Sequence, residues 1–415
     1  MFAILRNTRF RRLFLAQGVA LVGTGLLTVA LALLAYDLAG DHAGAVLGTA
    51  LAIKMIVYVT LAPLVGAAVP PGWRKPVLIA LDVVRASVAL MLPFVTEIWQ
   101  IYLLIALLQS ASAGFTPLFQ SLIPEILPEE RDYTRALSLS RLAYDLESLL
   151  SPAIAAALLT LISFHGLFAG TAVGFLLSAA LVMAVGFPAA AGSAAGSPYA
   201  RAMRGMGIYL RTPSLRGLLA LNLCAAAGGA MVFVNTVVVV RGPLGGGEQE
   251  VAAALGSFGA GSMLVALGLP WLLERFTDRW IMMSAAAVMV STLLLTTVAW
   301  LALGGIVSWW VVGPAWLVLG MAYAALVTPG GRLLKRAASS GDLPFLFAAQ
   351  FSLSHACWLL AYPLAGWVGA STGMQGALAT LSLLAAVGGV LAWRLWPTTE
   401  GPGPGEISTG NGAAT

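Results

Sequence analysis

Apolar residues in this chain do not alternate with polar ones. They run in blocks of 20 or more, broken by short polar or Gly/Pro-rich punctuation. A run of about 18 or more reads as a membrane-crossing helix, because a hydrocarbon layer of roughly 30 Å takes about 20 residues at 1.5 Å each. Twelve such blocks can be marked, at 13–38, 43–69, 76–96, 98–123, 136–164, 166–187, 215–240, 251–273, 280–301, 304–328, 343–369 and 373–396. Turns as short as "GDHAG" and "SFHG" separate some neighbours. The pattern predicts an all-α integral membrane protein of twelve spans, with antiparallel neighbours at those turns.

Composition agrees. The 415 residues are 60% hydrophobic and 9% charged, with a mean hydropathy of +0.92. A soluble domain carries about 25% charged residues, so a soluble fold of this length would lack the charge to cover its surface. Cys224 and Cys357 both fall inside apolar blocks, which argues against a disulfide framework. The first apolar block is too long for the core of a cleaved signal and reads as the first span.

The net charge of +5 would fit nucleic acid, but its distribution explains it otherwise. With the N-terminus inside, Arg241 is the only basic residue on an outer loop. Lys54, Arg85 and Arg141 lie within spans, and every other Lys and Arg falls on an inner segment. Cytoplasmic loops carry such an excess. Both termini are therefore expected in the cytoplasm, and no nucleic-acid partner is expected.

Residues 188–213, "PAAAGSAAGSPYARAMRGMGIYLRTP", divide the chain. The first half reads as a small-residue linker. The second spaces Arg201, Arg204 and Arg211 among Met and Tyr, as a helix on the inner membrane surface would. The expected organisation is a six-helix bundle over 1–187, the linker over 188–213, a second bundle over 214–396, and a disordered tail over 397–415. Thr, Arg and Gly recur at 8/212, 12/216 and 25/229, a weak sign of a parallel repeat.

Six plus six spans, internal termini and a basic central loop resemble the major facilitator superfamily. "GAAVPPGWRKP" places Gly66, Arg74 and Lys75 where that family has a Gly and a basic cluster between spans two and three. "RLFLAQGVALVGTGLLTVALALLAYDL" and "SASAGFTPLFQSLIPEILPEERDYTRALSLSR" resemble its twelve-span drug:proton antiporters, related to macrolide and siderophore exporters. "FAAQFSLSHACWLLAYPLAGW" and "ALSLSRLAYDLESLLSP" look closest to nickel-resistance permeases. The resemblance implies a proton-coupled efflux transporter working by alternating access. Two departures stand out. Pro70 and Pro71 replace the family's Asp-Arg, removing a charge that helps latch the halves, although Glu274-Arg275 and Asp278-Arg279 keep part of the pattern in the second half. The tail also lacks the His often found in nickel permeases.

Ionisable residues within spans are costly and mark a pathway or a structural pair. Asp82 and Arg85 stand at i and i+3, and Arg141 and Asp145 at i and i+4, spacings that suit local pairs. Counting 1.5 Å per residue from the span centres puts Lys54 about 3 Å outside the midplane, Glu147 about 4.5 Å inside it and His355 within about 2 Å. Glu147 reads equally as a proton carrier, since apolar surroundings and a nearby Lys push a carboxyl in opposite directions, or as a fixed counter-ion of Lys54. His355 reads as a proton or substrate contact, or as a neutral ring bonded to Ser352, Ser354 or a backbone carbonyl. The resemblance sets span two beside span eleven, so Lys54 and His355 could face each other. Gln17, Thr24, Thr28, Gln109, Asn222 and Asn235 either line the cavity or bond between helices.

His355 and Cys357 are two residues apart and point about 200° apart on a regular helix. With three His and two Cys in the chain, a closed metal site is not expected, although His355 could contribute to a weak one. No cofactor is expected. The expected partners are a small-molecule or ion substrate, protons and membrane lipid, and the expected state is a monomer in a bacterial-type inner membrane. An amphipathic organic substrate is the first reading; nickel or cobalt efflux and a non-transporting membrane sensor are the alternatives.

Overall fold

In the computed structural model the chain is a bundle of long helices. The structure describes residues 2–69, 71–127, 129, 132, 136, 139, 140, 143, 147, 151, 153–186, 198–303, 308–338 and 343–396. The helices are α1 (Thr8–Ala39), α2 (Ala43–Ala68), α3 (Arg74–Met91), α4 (Ile98–Ile126), helical residues 153–158 as α5, α6 (Phe164–Met183), α7 (Pro198–Arg211), α8 (Pro213–Arg241), α9 (Glu248–Arg275), α10 (Asp278–Ala302), α11 (Trp309–Val327), α12 (Gly330–Ala337), α13 (Leu343–Pro363) and α14 (Gly369–Leu395).

Among the described residues, nine stretches are long and apolar enough to cross a membrane. Two of them, Thr8–Leu61 and Phe345–Leu395, each contain two helices of span length, so eleven of the twelve expected spans are met among the described residues. The fifth expected span lies largely outside the described residues. An all-helical answer is what lipid demands, because only a helix or a closed barrel satisfies its own backbone there.

Helix starts follow local chemistry. The Asn7 side chain accepts the amides of Arg9 and Phe10 at the head of α1. Gln100 Oε1 accepts the amides of Thr96 and Glu97 before α4, and Thr277 Oγ1 accepts the Trp280 amide at α10. These bonds satisfy amides that have no partner within the helix. One boundary differs from the sequence reading. The fifth block was expected to run to 164, but its helix stops at 158. Thr160 Oγ1 donates to the Ala157 carbonyl there, and Ser163 stands at the N-cap of α6. The residues between, 159–163, are apolar enough to hide a turn.

The two sets of helices pair in the same order. In the first, α1 packs on α6, α2 on α4, and α3 on both α4 and α6. In the second, α8 packs on α14, α9 on α11, and α10 on both α11 and α14. Helix ends repeat too. Lys75 Nζ at the head of α3 donates to the carbonyls of Met183 at the end of α6 and Val185 just beyond it, at 2.8 and 2.7 Å. Arg279 Nε at the head of α10 donates to the Trp396 carbonyl beyond α14, at 3.0 Å. These cations bond carbonyls that have no helical partner.

The sets meet along α13, which packs on α2 of the first set as well as on α8 of its own. We call the end of the bundle with α7 and α12 the linker side, and the end with the turn Gly40–His42 the far side. The amphipathic helix expected in the linker is α7, and it is docked against the bundle. Gly205 lies so close to α13 that a Cβ there would stand 2.2 Å from the Phe345 carbonyl oxygen, and the buried Tyr209 hydroxyl donates to Gln350 Oε1. Burial raises the Tyr209 proton affinity well above the usual phenol range, so its hydroxyl stays a donor.

Small residues let α9 and α11 touch backbone to backbone. A Cβ on Gly320 would stand 1.9 Å from the Phe258 carbonyl oxygen, and Ser262 Oγ donates to the Gly320 carbonyl at 2.8 Å. Gly320→Val is therefore expected to cost about 3 kcal/mol or more and to lower the melting temperature of the detergent-solubilised protein. Gly313→Val, on the same helix where no atom lies within 4 Å of the added Cβ, is expected to leave it nearly unchanged.

Candidate functional site

The candidate site lies where α2 meets α13 in the middle of the bundle. Lys54 is half-buried on α2, and its Nζ stands 5.6 Å from the ring centre of Tyr58, one turn further along. Glu147, also half-buried, faces Lys54 closely enough for their charges to attract. Glycine on α1 lets this segment come close: a Cβ on Gly25 would stand 1.9 Å from Ser151 Oγ, one turn beyond Glu147, and 3.2 Å from Glu147 Oε1. His355 approaches from α13. Its ring lies 5.5 Å from Tyr58 and 4.0 Å from Phe351, and its Nδ1 is 2.6 Å from the Phe351 carbonyl oxygen. A backbone carbonyl at this distance calls for the Nδ1–H tautomer.

Lys54, Glu147 and His355 thus share one neighbourhood, and Tyr58 stands between Lys54 and His355. Tyr58 also stacks on Phe351 at 6.1 Å, and its hydroxyl lies near that of Ser112 on α4. It touches a cation, a hydroxyl of its own bundle and the aromatic face of the other bundle. Sequence reasoning passed over it. The available signal was its i+4 spacing from Lys54, matched by Phe351 at i−4 from His355.

An aromatic wall continues from His355 along the second bundle. Trp358 lies 6.1 Å from both Phe233 and Tyr323 and 4.9 Å from Tyr362, and Phe258 lies 5.5 Å from Phe233 and Tyr323. Phe351, His355, Trp358 and Tyr362 fall on one helical face by spacing.

The other sequence candidates lie elsewhere. Asp82 and Arg85 are buried and form an ion pair within α3, with the guanidinium 4.1 Å from the ring centre of Phe115 and 4.4 Å from that of Phe175. Gln17 is buried and donates to the Ser140 carbonyl at 3.5 Å. Asn222 donates back to Leu218 on its own helix, and Thr24 and Thr28 do the same on α1. Gln109 is buried on α4. Asn235 lies towards the far side, where Nδ2 donates to the Ala365 carbonyl. Arg275 lies over the Trp271 ring at 4.1 Å, while Glu274 is exposed. The charge that gathers partners in that loop is Asp278, buried between Arg336 at 2.6 Å and Arg332 at 3.4 Å. Gly66 lies on α2 near its end, and Arg74 begins α3. Pro70, Arg141 and Asp145 lie outside the described residues, as do 188–197 and 397–415. Among the described residues, no group of three or more His, Cys, Asp or Glu could hold a metal ion.

The two bundles close on each other at the far side. Arg241 pairs with Asp37 at 3.3 Å across the two bundles, Trp367 Nε1 donates to Thr49 Oγ1 at 2.9 Å, and Gln249 Nε2 donates to the Leu159 carbonyl at 3.3 Å. Backbone meets backbone between them: a Cβ on Gly366 would stand 2.2 Å from the Gly44 carbonyl oxygen, and one on Gly48 would stand 2.7 Å from that of Tyr362.

Residues 13–288 match the family model described as Major Facilitator Superfamily. The chain belongs to the major facilitator superfamily. Among curated relatives it is 23% identical over 185 residues to Macrolide efflux protein A of Streptococcus pyogenes, a match over 43% of this chain and 45% of that protein. It is 27% identical over 124 residues to the uncharacterized MFS-type transporter YfiS of Bacillus subtilis, over 30% of each chain. The matched segments thus span less than half the length of either relative. Among solved structures, a variant of the nucleoside transporter NupG aligns with a TM-score of 0.72 at 14% identity, over 93% of this chain and 98% of that one. A bacterial homolog of the human lysosomal transporter Spinster, inward-facing and unoccupied, aligns with a TM-score of 0.68 at 12% identity, over 94% and 97%. At such identities the structures establish the shared fold of this superfamily member.

Lys54 and Glu147 should behave as one unit. Removing either charge strands the other in a half-buried setting, which is expected to cost about 1–3 kcal/mol after allowance for partial exposure. Lys54→Met combined with Glu147→Gln is expected to recover most of that loss. Melting curves of both single variants and the double variant give the interaction energy, and strictly additive losses would contradict the pairing.

Proposed function

We propose that the protein is a secondary transporter that exports a small amphipathic compound in exchange for entering protons, by alternating access. One observation carries this reading. An acid–base pair, Lys54 and Glu147, sits at the contact between the bundles, and Tyr58 joins it to His355 and the aromatic wall opposite. Rocking one bundle against the other changes what Tyr58 touches, and so changes the surroundings of both charges. Glu147 gives up its proton while it faces the ammonium and takes one when the two part. The wall from Phe351 to Tyr362 supplies apolar area for a substrate with a flat hydrophobic part.

The macrolide efflux relative supports an exporter of organic molecules, at the level of 23% identity over part of the chain. The excess of basic residues on the linker side supports placing that side, with both termini, in the cytoplasm of a cell whose plasma membrane holds the protein. The far-side closure then makes this an inward-open or occluded form. A monomer completes the reading, since the path runs between the two bundles of one chain.

The test uses the full chain in proteoliposomes with a rhodamine-type dye and an imposed pH gradient. Gradient-driven dye movement is expected. Glu147→Gln is expected to reduce it about tenfold or more, roughly 1.4 kcal/mol of coupling, while dye exchange without a gradient persists. Gradient-driven movement equal to the parent protein would sink the role of Glu147; absence of any dye movement in the parent protein would sink the transport reading for this substrate class.

A further inference from the structure

A cavity opens on the far side, beside the glycine closure. It has a volume of about 460 Å³, within the size range of small-molecule sites, and both bundles line it. The first contributes Asp41, His42 and Gly44. The second contributes Asn235, Trp300 and Met374, with Gly369 and Gly373 between them. No Lys or Arg is among its lining residues. Arg241, next in the chain to the lining residue Gly242, is engaged with Asp37 and lies over Tyr36 at 5.1 Å.

Asn235 is the polar group at the floor, and it is 1% exposed. Its Nδ2 is taken by the Ala365 carbonyl, which leaves Oδ1 as an acceptor. Two lining glycines flank that oxygen: a Cβ on Gly44 would stand 3.2 Å from it, and a Cβ on Gly369 would stand 3.3 Å from it. Any other residue at either place would cover the amide oxygen. The wall beside it is also unusual for a helix. The π-helical turn Leu364–Val368 precedes Gly369, and Gly373 has φ +78°, a conformation open to glycine and strained for other residues. The backbone here is bent around the space.

We propose that this cavity is a second binding site, distinct from the central one, for a monovalent organic ammonium. The Asp41 carboxylate, the Trp300 indole, the Met374 thioether and the Asn235 amide oxygen, all on the lining, together form an ammonium-recognising set. An anion would meet Asp41 and find no lysine or arginine on the lining. The occupant would also rest against the closure itself, because Gly44 contributes to both. This inference goes beyond the central-site reading and does not require coupled transport.

The test uses the full chain in sealed proteoliposomes and a dansyl-tagged primary alkylammonium, read before it equilibrates across the bilayer. Added to the far side, it is expected to bind saturably. Asp41→Asn is expected to weaken binding about tenfold, and Asp41→Glu to restore it. Gly369→Ala, whose Cβ meets only ordinary contacts besides Oδ1, is expected to weaken it as well. Glu147→Gln is expected to leave it unchanged, whether or not that change uncouples dye transport, so the two readings fail separately. Absence of saturable far-side binding overturns the proposal. So does binding indifferent to both Asp41→Asn and Gly369→Ala in protein of unchanged melting temperature, and so does loss of binding on Glu147→Gln.

Discussion

A charge inside a membrane bundle has to be answered within the bundle, and Lys54 sets this constraint for the centre of the molecule. Its ammonium has a carboxylate to face and an aromatic ring one turn along its own helix. Both answers shape what surrounds them. The segment that carries the carboxylate packs close to α1 because residue 25 there is glycine, and the ring lies beside a hydroxyl of α4. Once Tyr58 is fixed, its other face is free to meet α13. At this level of the molecule, the way one lysine is satisfied therefore shapes the contact between the two bundles.

The fold was largely legible because lipid leaves the chain few choices. Long apolar blocks had to become helices, and eleven of the twelve expected spans are met among the described residues. The paired order of the helices gives the weak Thr, Arg and Gly repeat a structural counterpart, with Lys75 and Arg279 in equivalent capping positions. What sequence could not show was where apolar chain stops being helical. Residues 159–163 read as span and form a turn. The π-helical turn after Pro363 and the bend at Gly373 are equally silent, since π and α turns share the same apolar residues.

Depth counting brought Lys54, Glu147 and His355 to one layer, and the structure places them in one neighbourhood. Counting along a helix finds depth but says little about direction around the axis. That is why Tyr58, which joins the three, went unnoticed: a tyrosine in an apolar span looks like any other wall residue. Direction also separates the uncharged candidates. Gln17 and Asn222 turn to carbonyls within their own bundles, and Asn235 turns to the far side. The loop charge with the most partners in the second half is Asp278 rather than Glu274, a matter of which carboxylate the turn buries.

The glycine contact at the far side has an energetic meaning of its own. Gly44, Gly48 and Gly366 bring main chain against main chain, so few side-chain rotamers are frozen when the faces meet and few are released when they part. The ion pair between Asp37 and Arg241 is partly hydrated, and such pairs contribute little. A seal built this way holds by shape rather than by strong bonds. The gap between its closed and open forms can then be small enough for the binding of one ligand or one proton to reverse it, because a ligand moves an equilibrium only by its difference in affinity for the two states.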